Sequence, residues 1–331
     1  MPDNKFYSEW GNLNDYFILL EKIHSSKISI YQSKEWLLLI KDSFNLEIKS
    51  IISYKNNKVC AITTFSFLRK GFFTFLGAPL KGTFSQYGGP IFFDKIDQSD
   101  KYKVIKSIED KLGRFSFYVE WSPNIQENIN NISKKYFILK NQTLLINLSQ
   151  DEIDLWNSFQ SRARNMIRKA EKCGLKAKII KPSNDWLEDF YFLLKQVYKK
   201  QKRNPPHPLN FYLNLKSLKD NQICCIEVKK GKEIIAAGIF IIDNNNLYFL
   251  SGASNITGNK LSAPSLIQWT AMKNFINKVN TYDMGGIGIP SIDKFKKSFG
   301  GEIYTYKRII RKNIIFKIFE PLMIFIKKYF L

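Results

Sequence analysis

Histidine and cysteine, which supply most zinc sites and many covalent catalysts, are scarce in this sequence. Its 331 residues include two histidines, His24 and His207, and four cysteines, none of them in a CxxC pair. This inventory excludes the common zinc-site patterns, and we expect neither a metal ion nor a bound cofactor. His207 follows a proline-rich turn, and because a single loop histidine is more often incidental than catalytic, we assign it no role.

The sequence also lacks targeting and membrane-spanning segments. Its N-terminus has no basic region followed by an apolar one, as a signal peptide would, and no run of ~20 apolar residues occurs. Together with the unpaired cysteines, this favours a cytoplasmic protein. Acidic residues are few: 29 Asp and Glu stand against 51 Lys and Arg, which gives a net charge of +22. Such an excess favours a polyanionic partner, namely nucleic acid, a pyrophosphate-linked substrate, a CoA-type donor or an acidic membrane face.

Two stretches of the chain, 52–79 and 227–254, resemble each other without a gap when one is shifted by 175 positions. The shift places Gly77-Ala78 on Gly252-Ala253. Each stretch reads as three strands, preceded by a helical segment and followed by a helix and a further strand. The repetition predicts that one structural unit occurs twice.

The order of elements predicts an α/β fold with mixed sheets. The same order resembles that of the GNAT acyltransferase fold, so the duplication implies two GNAT-like domains in tandem. Two-residue hairpin turns are expected at Asn56-Asn57 and at Gly231-Lys232. We predict an N-terminal domain over 1–148, a C-terminal donor-binding and catalytic domain over 149–308, and a basic amphipathic tail over 309–331.

A strongly basic helix is predicted after the domain boundary, and Gly174 is expected to end it. Its buried stripe is expected to consist of residues at helical spacing: Ala163, Met166, Ile167 and Ala170. Its polar face is rich in arginine, which suits bidentate phosphate contacts. The candidate phosphate-binding residues are Arg162, Arg164, Arg168 and Lys169. A solvated charged face is the alternative.

Four stretches of the chain resemble the FemAB family of aminoacyl and acyl transferases, which are built from two GNAT-like domains. "SRARNMIRKAEKCGL" looks like the family's R-x-x-I-R-K-A-x-x-x-G helix, and "YDMGGIGIPSIDKFKKSFGGE" looks like its Y/F-D-x-G-G … F-K-x-x-F-G-G ending. "SQYGGPIFFD" and "YQSKEWLLLIK" resemble stretches of the family's first domain. The resemblance covers about residues 30–310, and no long heptad run indicates the coiled-coil arm of some members.

The resemblance implies transfer of an aminoacyl group from aminoacyl-tRNA, or of another acyl group, to an amine of a cell-envelope precursor such as a nucleotide- or lipid-linked muropeptide. Because the donor is already activated, the protein must align the amine and stabilise the oxyanion. The family's F-K motif implies that Lys296 does the latter. Asp283 is a candidate for orienting Lys296 or the amine, although an Asp before Gly-Gly more often bonds its own turn. The resemblance implies further substrate contacts at Asp94, Lys41 and Phe295.

Two questions stay open at this point. The segment 254–265 keeps Gly258 and Ala263 of the GNAT pyrophosphate loop but lacks its arginine, so either the donor is not CoA or its phosphates are held elsewhere. An acyl-CoA-dependent N-acetyltransferase acting on an amino sugar of a surface polysaccharide is therefore an alternative. A non-catalytic RNA- or membrane-binding protein is another.

The end of the chain, 307–331, has seven basic residues and one acidic residue among apolar ones. This pattern is typical of a helix that contacts the inner face of an anionic membrane. The alternative is a C-terminal helix docked on the second domain.

Overall fold

The computed structural model describes residues 5–71, 73–93, 96–113, 116–123, 134–200 and 202–321. The helices whose two ends lie in these ranges are α1 (Leu13–Leu20), α2 (Lys34–Phe44), α3 (Gln98–Leu112), α4 (Glu152–Ser158), α5 (Ser161–Lys172), α6 (Asn184–Lys200), α7 (Leu209–Asn214), α8 (Ile256–Lys260), α9 (Ala263–Phe275) and α10 (Pro290–Lys297). The strands in these ranges are β1 (Phe6–Gly11), β2 (Glu47–Lys55), β3 (Lys58–Lys70), β4 (Phe73–Ala78), β5 (Ile91–Phe92), β6 (Tyr118–Trp121), β7 (Phe137–Asn147), β8 (Ala177–Ile180), β9 (Ile223–Lys230), β10 (Glu233–Ile242), β11 (Asn246–Ser254), β12 (Thr281–Gly286) and β13 (Glu302–Lys312).

The chain divides into two compact units. The first consists of Met1–Lys140 and Tyr306–Leu331, and the second of Asn141–Thr305. The domain boundary predicted from the sequence follows residue 148, and residues 309–331 were predicted to form a separate tail. In the structure, the last residues of β13 belong to the first unit, because Ile309 to Lys312 pair with β6.

The strands follow the same plan in both units. The order is β1-β2-β3-β4-β6-β13 in the first and β8-β9-β10-β11-β12-β7 in the second. In each, the first four strands are antiparallel neighbours, the fifth is parallel to the fourth, and the sixth is antiparallel to the fifth. The expected duplication and mixed α/β architecture are confirmed, and no coiled-coil arm interrupts the described residues.

Both predicted hairpin turns are present. Asn56 and Asn57 have φ angles of 49° and 63°, and Gly231 has a φ of 61°. Positive φ at such positions matches the right-handed twist of the flanking strands. The 175-residue shift also holds for the first hairpin, since Ser53 pairs with Ala61 as Val228 pairs with Ala236. It fails in the second hairpin, where Gly77 pairs with Ser66 but the corresponding Gly252 pairs with Gly238 instead of Ile241.

Helices cover both faces of the second sheet. Adjacent residues of a strand point to opposite faces. On β9, Glu227 accepts a hydrogen bond from Trp186 Nε1 of α6 at 3.0 Å, whereas Ile226 and Val228 belong to the core that contains Ala271 and Met272 of α9. We conclude that α6 and α9 pack on opposite faces.

Helical residues 314–321 dock on the first unit, whereas the alternative considered from the sequence was docking on the second. Phe316 is buried, and its ring lies 5.5 Å from that of Phe75 and 5.6 Å from that of Tyr118. Phe73 contacts Phe319 at 5.9 Å. In the described residues, no helix combines the length and apolarity needed to cross a membrane.

Candidate active site

The fourth and fifth strands of the second unit part from each other. Parallel pairing of β11 with β12 is limited to three positions, from Asn246 with Thr281 to Tyr248 with Asp283. Beyond them β11 continues to Ser254 along β10, and β12 continues to Gly286. The parted strand ends leave a gap in the sheet.

The equivalent strands of the first unit stay together. There β4 pairs with β6 up to its last residue, Ala78, which lies opposite Trp121. The amide of Ser122 extends this pairing, because it donates to the carbonyl of Ala78 at 3.0 Å. The two units thus share a topology, but in this comparison only the second has an opening between its fourth and fifth strands.

A pocket of about 230 Å³ lies at this opening. It reaches from Val197 on α6 to Ile267 on α9, and therefore from one face of the sheet to the other. The described side chains that line it carry no charge: Val197, Ala237, Phe249, Gly252, Ala253, Ser254, Asn259, Pro264, Ile267, Gln268 and Phe295. Small residues of β10 and β11 form one wall, so the pocket can accept an uncharged group that is at least partly apolar.

Gln268 is the polar side chain best placed to bind a ligand in this pocket. It is 3% exposed, and its Oε1 accepts a hydrogen bond from the hydroxyl of the fully buried Tyr282. This bond orients the Gln268 amide and occupies its acceptor, so that the remaining polar group of the side chain is its NH₂ donor.

Lys296 is buried, unlike the lysines on either side of it. Its side chain on α10 is 8% exposed, whereas Lys294 and Lys297 face solvent. Nζ donates to the carbonyl oxygen of Gly286, at the end of β12, at 2.8 Å. Burial lowers the pKa of Lys296 from its usual value, and the negative charges of Asp283 and Asp293 offset part of this effect.

Asp283 is also buried, at 1% exposure. Its Oδ1 accepts hydrogen bonds from the hydroxyl of Thr143 and, at 2.7 Å, from the amide of Gly285. The second bond is the turn-stabilising role expected for an aspartate before two glycines. Its charge also acts on Lys296, so Asp283 both shapes the turn and sets the electrostatic environment of the lysine.

The residues around Lys296 hold α10 in place. Asp293 accepts hydrogen bonds from the amides of Gly288 and Ile289 at 3.1 and 3.2 Å, which fixes the first turn. Pro290 begins the helix, where its missing N–H needs no partner. Phe295 lines the pocket and packs edge-on against the buried Phe299 at 5.2 Å.

The glycines after α10 allow a close approach of chain segments. Gly300 and Gly301 have φ angles of 74° and 80°. A Cβ atom at Gly301 would lie 2.4 Å from the carbonyl oxygen of Leu145, and one at Gly300 would lie 2.8 Å from that of Ser158. Larger residues would push α10, and with it Lys296, away from the sheet.

The basic helix α5 forms as predicted and ends before Gly174, which has a φ of 75°. Two of its candidate residues make local contacts. Arg164 donates to the carbonyl oxygen of Phe159 at 2.5 Å, and the guanidinium of Arg168 lies 5.4 Å from the ring of Trp156. These contacts orient both side chains along the helix surface.

Arg162 and Lys169 are exposed on the same side of α5 as Met166. The prediction that Met166 is buried is wrong: it is 36% exposed, because the stripe that packs on α9 is limited to Ala163, Ile167 and Ala170. Its sulfur accepts a hydrogen bond from Ser262 Oγ at 3.1 Å. The exposed cations therefore adjoin the segment just before α9.

The remaining predicted residues lie elsewhere. Lys41 is exposed near the end of α2 in the first unit. Asp94 lies outside the described residues. His207 is 7% exposed and its ring contacts Phe211 at 5.4 Å, which is a packing role. Within the described ranges, no cluster of His, Cys, Asp and Glu could hold a metal ion.

Comparison with known proteins agrees with this geometry. The model of the FemAB family matches residues 196–307, a range that contains the pocket wall, β12 and Lys296. Over this segment, which is about a third of the chain, the protein is FemAB-like. No curated protein sequence matches it significantly.

Solved structures resemble this chain over nearly its whole length. FemX superposes with a TM-score of 0.65 at 14% identity, covering 94% of this chain and 99% of its own. L-PGS from Bacillus licheniformis gives a TM-score of 0.53 at 11% identity, with 96% of both chains covered. A tandem GNAT protein from the clavulanic acid biosynthesis pathway gives 0.53 at 6% identity, covering 94% and 98%. At these identities the likeness concerns the fold, and it confirms two GNAT-like units.

Sequence reasoning missed three side chains of the candidate site: Thr143, Gln268 and Tyr282. Thr143 and Tyr282 lie in strands and Gln268 in a helix of mostly buried residues. The sequence signal was a glutamine between the large apolar residues Ile267 and Trp269 of α9, which indicates a polar group that needs a buried partner.

Proposed function

We propose that this FemAB-type protein transfers an aminoacyl group from aminoacyl-tRNA to an amine of a nucleotide- or lipid-linked cell-envelope precursor, such as a muropeptide. The observation that carries the proposal is the buried Lys296, which directly follows the pocket-lining Phe295 on α10 and donates to the carbonyl oxygen of Gly286. A cation in a site of low dielectric stabilises developing negative charge more strongly than one in water.

In the proposed reaction the acceptor amine attacks the ester carbonyl carbon of the donor. The new C–N bond forms, the ester C–O bond breaks, and the amine proton passes to the departing ribose oxygen. Lys296 stabilises the negative charge that develops on the carbonyl oxygen, and the amide of Gln268 donates to the bound acyl group. Asp283 positions Lys296 through its charge, and Phe295 encloses the aminoacyl side chain.

The basic face of α5 supports a polyanionic donor. Arg162 and Lys169 lie next to the segment before α9, which holds the CoA pyrophosphate in GNAT enzymes but lacks the usual arginine here. We propose that they bind donor phosphates, with Arg164 and Arg168 extending the basic surface. Lys41 and Asp94 are proposed to contact the acceptor. No cofactor is required, since the donor is activated, and the proposed location is the cytoplasm.

An acyl-CoA donor is the second candidate. The tandem GNAT structure that resembles this chain is described as being without AcCoA, and an N-acetyltransferase acting on an amino sugar would use the same pocket. One experiment can distinguish aminoacyl-tRNA from acyl-CoA as the donor, because only aminoacyl-tRNA contains RNA.

The experiment offers the purified protein radiolabelled aminoacyl-tRNA or acetyl-CoA together with a bacterial precursor extract. The proposal is supported if label enters a precursor from aminoacyl-tRNA but not from acetyl-CoA, and if treating the donor with RNase beforehand prevents this transfer. RNase-resistant transfer from acetyl-CoA supports the alternative. Lys296→Met should abolish transfer, while the matched exposed variant Lys297→Met retains it; equal activity of the two variants would refute the role of Lys296.

A further inference from the structure

The helical residues 314–321 leave one apolar face uncovered. Phe316 is 4% exposed and packs on the sheet of the first unit, whereas Ile314 and Ile318 are 75% and 69% exposed. With about 3.6 residues per turn, positions 314 and 318 lie on the side of the helix opposite Phe316. Ile315 and Phe319, at 45% and 40% exposure, widen this face. The docking of Phe316 therefore directs an apolar surface outwards.

A second exposed apolar group lies on the same unit. Phe137, Ile138 and Leu139, at the start of β7, are 39%, 43% and 45% exposed. Lys312 Nζ, just before the helical residues, is 5.2 Å from the ring of Phe137. Large apolar side chains from two chain segments are thus exposed in this part of the first unit. Single exposed apolar residues are common on protein surfaces, but such a group indicates a binding surface.

The outward face also carries a positive charge, that of Lys317. Residues 307–331 contain seven basic residues and one acidic residue, Glu320. Glu320 is paired with Lys312 at 2.6 Å, so the charges of these two residues neutralise each other. Lys317 is exposed between the two outward-facing isoleucines. A surface that combines large apolar side chains with an exposed lysine matches the interface of an anionic bilayer, where acyl chains contact the apolar side chains and headgroup phosphates attract the cation.

We propose that the outward face of residues 314–319 binds the surface of an anionic lipid membrane. Ile314 and Ile318 insert between the headgroups, Ile315 and Phe319 lie at the boundary, and Lys317 contacts lipid phosphates. The binding is peripheral, because the apolar face is one side of a short helical segment that stays docked through Phe316. It does not depend on the identity of the transferred group.

The test measures co-sedimentation of the full chain with phosphatidylcholine vesicles, with and without phosphatidylglycerol, at low and high salt. The double variant Ile314→Asn/Ile318→Asn is compared with Ile18→Asn/Ile153→Asn, which changes two isoleucines that are 59% and 70% exposed on α1 and α4. We expect binding only to vesicles that contain phosphatidylglycerol, and weaker binding at high salt. The first variant should bind at least about tenfold more weakly than the parent, and the second should bind like the parent.

Two results would overturn the proposal. Equal vesicle binding by both double variants would show that the outward face is not the contact. Absence of binding by the parent, with an oligomer that dissociates only in the 314/318 variant, would show that a second copy of the chain covers this face. Thermal unfolding of each variant checks that the exposed substitutions leave the fold intact.

Discussion

Replacing Lys296 by methionine removes an ammonium group from a buried site, and the effect on stability should depend on pH. The side chain is 8% exposed, and burial lowers its pKa below the ordinary value of 10.5. Between the lowered folded-state pKa and the ordinary unfolded-state pKa, the unfolded chain binds more protons than the folded one. The free energy of unfolding of the parent should therefore rise with pH through this window, relative to the variant.

The magnitude follows from the same linkage. Each unit by which the folded-state pKa is lowered corresponds to about 1.4 kcal/mol, so the parent gains about that much relative to the methionine variant for each pH unit crossed. Below the folded-state pKa the full burial penalty is present, partly offset by the 2.8 Å bond to Gly286. The assay is urea unfolding of both proteins, monitored by tryptophan fluorescence, from neutral pH to the ordinary lysine pKa.

The exposed Lys297→Met is the matched control, because it removes the same charge from the same helix without burial. Its free energy of unfolding should follow that of the parent at every pH. If the Lys296 and Lys297 variants give the same pH dependence, Lys296 does not titrate from a buried site, and the argument for its special reactivity fails.

Three further predictions concern the same unit. Asp283→Asn removes a charge that raises the pKa of Lys296, so the alkaline limb of the pH–rate profile for transfer should move to lower pH; an unmoved limb would exclude Lys296 as the titrating group. Gly258→Ala would place a Cβ atom 2.3 Å from the carbonyl oxygen of Ile235, so it should lower the free energy of unfolding by about 1–3 kcal/mol in urea titrations. An unchanged free energy of unfolding would contradict this close packing. Exchanging both Arg162 and Lys169 for glutamate should weaken aminoacyl-tRNA binding and flatten its salt dependence in filter-binding assays, and an unchanged slope would rule out phosphate contacts.

Local signals in the sequence predicted those parts of the fold that depend on neighbouring residues. The two-residue turns at Asn56-Asn57 and Gly231-Lys232 were recognisable because few residues adopt positive φ there. The start and end of β12 were recognisable from the apolar Tyr282 region and the glycines that follow. The duplication was recognisable because turn and strand lengths repeat. These features require no knowledge of which distant residues meet.

Features that depend on distant contacts could not be predicted. The exposure of Met166 follows from how much of α5 is covered by α9, and helical spacing alone cannot give the width of a buried stripe. The burial of Lys296 between exposed lysines likewise depends on Gly286, ten residues away, and on Asp283. A resemblance to a family motif singled out this lysine, whereas the charge pattern did not distinguish it from its neighbours.

The difference between the two units gives a physical reason why a duplicated fold carries its candidate site in one copy. Binding a group at the edge between the fourth and fifth strands requires that the strands part, because paired strands about 4.8 Å apart leave no room between them. In the first unit, pairing to Ala78 and Trp121 closes this edge. In the second, pairing stops at Tyr248 and Asp283, and the buried acid lies at the point of divergence. Asp283 is thus both the last residue of β12 that pairs with β11 and a source of negative charge that acts on Lys296. The position where the sheet opens therefore also determines the electrostatic environment of Lys296.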